Sequence, residues 1–402
     1  VAPRGDDRSG DGSPARPFAT IGRAARAAGP GTAIRLRPGV YAGGAFVENL
    51  RGTADAPIWI GGVPGDVRPV IEGGGEALHL VRSAYVVVHD LEVRRTTANG
   101  INADDGGVTT GPVEAYHLVF RGIEVAEVGG SGNQDCLKLS GVADVEVRDS
   151  AFRACGGGGS GSGIDIVGGH RIRIARSRFE AMSGNAVQAK GGSADVEVWA
   201  NVMRDAGGRA VNMGGSTGFA YFRPPLDAAA VNAEARDIRV VANVIVGGDA
   251  PVAYVGCVGC LVAHNTLVDP GRWVARILQE TTSRDGFTFA PASGGRFVNN
   301  VVSFQRARLS TFVNVGGGTA PETFTFAHNL WYASDAPARS QPSLPVPEVG
   351  GIVGRDPRLD AAFRPAPGSP ARAAGVAVAG VRGDADGRCY ADPPSIGAFE
   401  GP

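Results

Sequence analysis

The fold class this sequence predicts is all-β: a single-stranded right-handed parallel β-helix spanning residues 1–402, with a capping helix at its N-terminal end. Three observations predict it. A unit of short strand, glycine turn, second strand and small polar corner residue recurs along the chain, which is the mark of a solenoid. Within the recurring strands, as in VEV, IRI and VEVW, apolar residues alternate with polar ones, so one face is buried and the other solvated. Finally, 62 glycines and 26 prolines stand beside 43% apolar residues. That is too many turn formers for a helical or doubly wound protein and too much apolar content for disorder.

The elements follow in order. PFATIGRAARAAG (17–29) has amphipathic helical spacing and would cover the open end of the first coil. RLRPGVY (35–41) then supplies the first strand. The second strand of the unit recurs as YVVVHDLEV (85–93), ADVEVRDSAF (143–152), HRIRIARSRF (170–179), ADVEVWANVM (194–203), RDIRVVANVI (236–245), CLVAHNTLV (260–268) and RFVNNVVSF (296–304). Its corner residues read Asp90, Ser150, Ser177, Asn201, Asn243, Asn265, Asn300 and Asn329. Asparagines stacked at one corner can hydrogen-bond from coil to coil, and asparagine tolerates a left-handed backbone. Residues 214–237 form the longest insertion and are expected to overhang the groove, while 340–402 read as an irregular tail.

Aligning the first strand of each coil places GINADD (100–105), CLKLSG (136–141), GIDIVG (163–168), AVQAKG (186–191), AVNMGG (210–215) and PVAYVG (251–256) in one register. Ile101, Leu137, Ile164, Val187, Val211 and Val252 then point inward. The outward column reads Asn102, Lys138, Asp165, Gln188, Asn212 and Ala253, and the next one carries Asp104, Ser140, Val167 and Lys190. Lys138 and Lys190 are the only lysines among 39 basic residues. Both face out of one sheet with Asp165 on the coil between them, about 10 Å apart at a coil spacing of ~4.8 Å. Arginine stays protonated, whereas a lysine amine can be pushed down by burial or a nearby cation and can then accept a proton. The expected base is therefore Lys138 or Lys190. Arg223 or Arg209 is expected to neutralise a substrate carboxylate, and His170, at a turn near Asp165, to donate a proton. Gln188, Asn102 and Asn212 offer hydrogen bonds, and Tyr221 and Phe222 of the insertion offer faces for sugar rings.

A formal net charge of −1 gives no electrostatic reason to expect nucleic acid or a membrane surface as partner. No apolar run reaches transmembrane length. The sequence starts at Val1, which fits removal of a leader, and secretion as a monomer is expected. Of five cysteines, Cys257 and Cys260 in CVGC read as a tight disulfide or half a zinc site, and no second CxxC or histidine pair accompanies them.

The opening DGSPARPFATIGRAA…RLRPGVY, the segment GTADAPIWIGG (52–62) and the closing PSIGAFEGP resemble the ends of secreted β-helix polysaccharide lyases, the superfamily of pectate lyases, chondroitinase B and alginate lyases. NQDCLKLSG (133–141) resembles the base-bearing GFKLGG-type coil of calcium-dependent pectate lyases. That resemblance implies Lys138 as base. A site that abstracts the proton beside a uronate carboxylate often also uses Ca²⁺ held by acidic oxygens, and Asp165 with Asp135 or Asp104 are the expected ligands. The expected activity is β-elimination in an acidic, uronic-acid-containing polysaccharide. Two alternatives use the same face. NADDGG (102–107) and GGHRIR (168–173) distantly resemble polygalacturonase motifs, which implies hydrolysis by Asp104 and Asp165. A non-catalytic carbohydrate-binding β-helix would need no titratable lysine.

Overall fold

The computed structural model describes residues 1–130, 132–309, 311–381 and 383–401. The chain winds into a right-handed parallel β-helix walled by a 13-, a 12- and a 10-stranded sheet. Each coil contributes one strand to each wall, and every strand pairing among the described residues is parallel. The expected register of the ten-stranded sheet is the observed one. Lys138 pairs with Asn102 on one side and Asp165 on the other, Asp165 with Gln188, and Gln188 with Asn212. Alternation fixes this register, because a slip of one residue would send Ile101, Leu137, Ile164, Val187 and Val211 into solvent. All five lie in the core, 0–1% exposed.

The capping helix, α1, is shorter than expected and covers Ile21–Ala27. Thr20 caps it by accepting the amide of Arg23, and Ile21, Ala24 and Ala25 are buried against the first coil. Deeper in, aromatic rings stack from coil to coil. Phe152 and Phe179, register partners, have centroids 5.0 Å apart and nearly parallel planes.

The corner residues form an unbroken buried ladder. Each accepts the backbone N–H of the corner residue before it, from Ser150 through Ser177, Asn201, Asn243, Asn265, Asn300 and Asn329, at 2.8–3.3 Å. Glu348 ends it by accepting from Asn329. Two corrections follow. The left-handed backbone belongs to the residue before the ladder position, as at Ala200, Ala242, His264 and Asn299 (φ 54–57°). Asp90 shares that left-handed position (φ 47°) and so lies outside the ladder. Its place in the unit is taken by the buried Leu91.

Cys136–Cys155 and Cys257–Cys260 are disulfide-bonded, and Cys389 is free and exposed. The pairing of Cys257 with Cys260 settles the CVGC motif as a disulfide. The tail runs back along the outside of the solenoid. Trp199 Nε1 donates to the carbonyl of Gly383, Arg239 to Ala379, and Asn299 to Val376. The buried imidazole of His264, pulled down to about 4 by desolvation, meets the carbonyl of Ser395.

Candidate active site

The ten-stranded sheet holds the polar column Asn102–Lys138–Asp165–Gln188–Asn212, and Lys190 stands two residues beyond Gln188 on the strand Asn185–Lys190. That strand stops because Gly191 adopts φ +64°, a conformation that turns the chain and that side chains resist. Cys136, bonded to Cys155, lies between Asp135 and Lys138 in sequence and fixes the start of the strand Leu137–Ser140 to the core.

Both lysines share one carboxylate. Nζ of Lys138 pairs with Oδ2 of Asp165 and lies 3.3 Å from Oδ2 of Asp135. Nζ of Lys190 lies 3.6 Å from the same Asp165 oxygen and 3.4 Å from Oε1 of Gln188. Asp165 is fully buried, and its Oδ1 has no hydrogen-bond partner among the described residues. Burial pulls the Lys138 ammonium down, but Asp165 and Asp135 outweigh it, so its pKa stands above the ordinary lysine value. Burial, reinforced by the Asp165 charge, pushes Asp135 up to about 7.

Lys190, Gln188, Arg209 and Asn212 line a single groove of about 490 Å³, with Ser216 and Glu280 also in its lining. Arg209 donates to Glu280 at 2.5 Å and to Oδ1 of Asn212 at 3.4 Å. The 214–237 insertion forms one wall, and residues it brings in anchor it there. The guanidinium of Arg223 grips the buried Asp105 through two bonds, 2.8 and 3.2 Å. The Arg223 N–H donates to the carbonyl of Gly191, and its carbonyl faces Nε2 of His170 at 3.1 Å. Arg223 and His170 therefore fasten the loop, and neither lines the groove. Phe222 is 2% exposed and packs with Phe219 and Phe289, so its face is not open to a sugar. Tyr221, at 63% exposure, is open.

Sequence reading missed three groups. Glu234, wholly buried, accepts from the hydroxyls of Thr281 and Thr217 and from the amide of Gly191. It ties three segments together beside Lys190, and burial raises its pKa. No pattern in the insertion marks it. His79 continues the polar column one coil past Asn102, and extending the strand alignment to ALHLV would have found it. It contacts Oδ2 of Asp104 at 2.6 Å, Oε2 of Glu76 at 2.9 Å and the amide of Asn102 at 3.2 Å. Burial lowers its pKa, but the two carboxylates overcome that and push it up to about 9, leaving it charged at neutral pH. Arg276 is the third, in the column beyond Ala253.

The acids expected to hold calcium do not gather. Asp104 is committed to His79 and the amide of Gly106, and its pKa is lowered despite burial. Asp135 and Asp165 face each other across the Lys138 ammonium, which occupies the place a cation would need. These residues do not fit a resident calcium ion.

No protein-family model matches the sequence, and no curated protein matches it. The right-handed parallel β-helix is shared with solved lyases and an epimerase. Among solved structures it resembles pectate lyase Pel9A, at 16% identity and a TM-score of 0.61 over 100% of this chain and 96% of that one. It also resembles an alginate lyase from Paenibacillus sp. str. FPU-7 (17% identity, TM-score 0.51, 75% and 96% covered). A third likeness is to the A-module of the mannuronan C-5 epimerase AlgE6 from Azotobacter vinelandii (15%, 0.51, 82% and 91%). Identities this low establish shared architecture, and architecture alone does not fix chemistry.

Proposed function

We propose that the protein is a polysaccharide lyase that cleaves a uronic-acid-containing chain by β-elimination, with Lys190 as base. The observation that carries this reading is the buried Asp165 shared by the chain's only two lysines, one of which opens into a groove beside Arg209. Lys138 is held protonated by two carboxylates and serves as their counter-charge. Lys190 is held more loosely, by a longer contact to an oxygen already engaged by Lys138 and a 3.4 Å bond to Gln188. Arg209, Gln188 and Asn212 are placed to hold the uronate carboxylate, and neutralising it makes the C5 hydrogen more acidic. Lys190 takes that proton, a C4=C5 double bond forms, and the C4–O bond breaks. The departing oxygen takes a proton from water, and Lys190 returns the proton it received to solvent, which restores the base. All these groups come from one chain, so the reading needs no partner subunit. Action outside the cell fits the Cys136–Cys155 disulfide.

The hydrolase alternative is disfavoured by geometry. Asp104 and Asp165 lie two coils and two residues apart, about 12 Å between Cα atoms from strand spacings, against roughly 6.5–9.5 Å between the carboxyls of an inverting pair. Asp135 and Asp165 are close but fully buried. The test is absorbance near 235 nm, where unsaturated uronates absorb, against polygalacturonate, alginate and glycosaminoglycans, with calcium and with chelator. We expect a rise that survives chelation and drops at least 1,000-fold in Lys190→Ala. New reducing ends without absorbance would overturn the lyase reading. Loss in Lys138→Ala with activity kept in Lys190→Ala would reassign the base.

A further inference from the structure

Several arginines on the outward faces of this solenoid are neutralised by a carboxylate one coil away. Arg171 grips Asp144 and Arg176 grips Asp149, each through two bonds of 2.7–2.9 Å. Arg276 is held differently. It sits half-buried in the polar column of the ten-stranded sheet, paired in register with Ala253 and Asn314. Its Nε donates to Oδ1 of Asn314 at 3.0 Å. Among the described residues no carboxylate lies within ion-pair distance, and its two terminal nitrogens have no acceptor.

A guanidinium whose N–H fork has no protein acceptor is free to take an anionic ligand. Burial first and the Arg209 charge second hold the Arg276 pKa below the ordinary arginine value, with Glu280 and Asp249 acting the other way. The side chain is nevertheless fixed in place. Its guanidinium lies over the ring of Trp273, 4.3 Å from the centroid, and that of Arg272 lies 4.2 Å from the same ring. Stacking on an indole spends the face of a guanidinium and leaves its edge, the N–H fork that matches a carboxylate, free for a ligand. Between Arg276 and Asn212 the column holds the fully buried Ala253, so Arg276 stands on the same sheet face as the groove, two coils beyond Asn212 of its lining.

We infer that Arg276, held by Trp273 and flanked by Arg209, is a second carboxylate subsite on the same sheet face, beyond the groove, and that the substrate is a run of contiguous uronates. The inference rests on the lyase reading and deepens it. The strand of Arg276 is three coils from that of Lys190, about 14 Å at ~4.8 Å per coil, so the carboxylate it takes belongs to a sugar several rings along an extended chain. A polymer in which uronates alternate with neutral or amino sugars would present that position with a carboxylate less regularly.

The experiment is calorimetric binding with the full chain carrying Lys190→Ala, which stops cleavage. The probes are trimers and hexamers of galacturonate and of mannuronate. We expect the hexamer of the preferred series to bind at least tenfold more tightly than its trimer. Arg276→Gln added to that background should weaken the hexamer at least fivefold and leave the trimer within twofold, which also shows that the groove is folded. Arg276→Lys should recover part of the loss and Trp273→Ala should show an intermediate one. Equal loss at both lengths, no loss at either, or equal affinity of trimer and hexamer for the parent overturns the subsite. If neither series binds, the subsite falls, and the 235 nm signal of the unmodified enzyme decides separately whether the lyase reading falls with it.

Discussion

Replacing Asp165 by asparagine keeps the shape of the side chain and removes the charge that two ammoniums share. The carboxylate has no exposed surface, and the Lys138 and Lys190 side chains are 18% and 12% exposed, so solvent screens the cluster little. Two unit charges 3.6 Å apart at an effective dielectric constant of about 20 attract by roughly 5 kcal/mol, and breaking a buried pair costs about 3–5 kcal/mol. A second route limits the loss, because one ammonium can shed its proton instead. From the ordinary lysine pKa of about 10.4 down to pH 7.5, that costs about 4 kcal/mol at ~1.4 kcal/mol per pH unit. The expected deficit is therefore about 4 kcal/mol at pH 7.5. The sign of its pH dependence follows from linkage. In the native protein the raised pKa of Lys138 gives stability that is complete below the unfolded lysine pKa and is lost only as pH rises through the higher folded value. In the variant a folded lysine is neutral while the unfolded one still binds a proton, so stability climbs with pH. The gap should shrink to about 1 kcal/mol near pH 10. Urea unfolding followed by circular dichroism, at pH 7.5 and pH 10, measures both numbers. A deficit below about 1 kcal/mol at pH 7.5, or one that stays the same at pH 10, would refute the shared-carboxylate argument.

Two further outcomes follow from the corner ladder and the groove wall. Asn243 accepts the N–H and side-chain amide of Asn201 and donates to Val198, Val241 and Asn265. Asn243→Ala should cost about 4 kcal/mol in urea unfolding, since several buried groups lose partners at ~1–3 kcal/mol each, while Ser150→Ala near the start of the ladder should cost about 1 kcal/mol. Phe222→Ala should loosen the 214–237 wall, raising KM severalfold and exposing the loop to limited proteolysis, while Tyr221→Ala shifts stability by less than about 0.5 kcal/mol.

How much of this was legible beforehand depended on the range of the interactions. The register of the ten-stranded sheet was legible because its inward residues obey a period of two that admits one alignment. The corner column was legible because small hydrogen-bonding side chains recur there from Ser150 to Asn329, although apolar Leu91 and Ile123 hold the same position in the coils before. The backbone conformation of that corner was read one residue late, since Ala200 and Ala242 carry no sign of the left-handed state they adopt. The roles of Arg223, His170 and Phe222 were not legible. Their partners, Asp105, the loop carbonyl and Phe289, are brought to them by the path of an irregular loop, which no periodicity records. The lysine pair was visible by composition alone, but the division of labour between them rests on Asp135. It sits three residues from Lys138, and its contact with that ammonium is set by the turn before the strand.

The tail that runs back over the solenoid has a consequence for how such a protein can change. A stack whose coils touch only their neighbours can gain or lose one without disturbing the rest, which is how repeat proteins vary in length. Here Gly383, Ala379, Ala398 and Val376 are fastened to points on successive coils, at Trp199, Arg239, Thr266 and Asn299 respectively. Removing one coil between those points would shorten the path by about 4.8 Å while the tail kept its length, and every clasp beyond the deletion would miss its mark. The tail thus acts as a ruler, locking the number of turns in this stretch against the duplication and deletion to which solenoids are otherwise open.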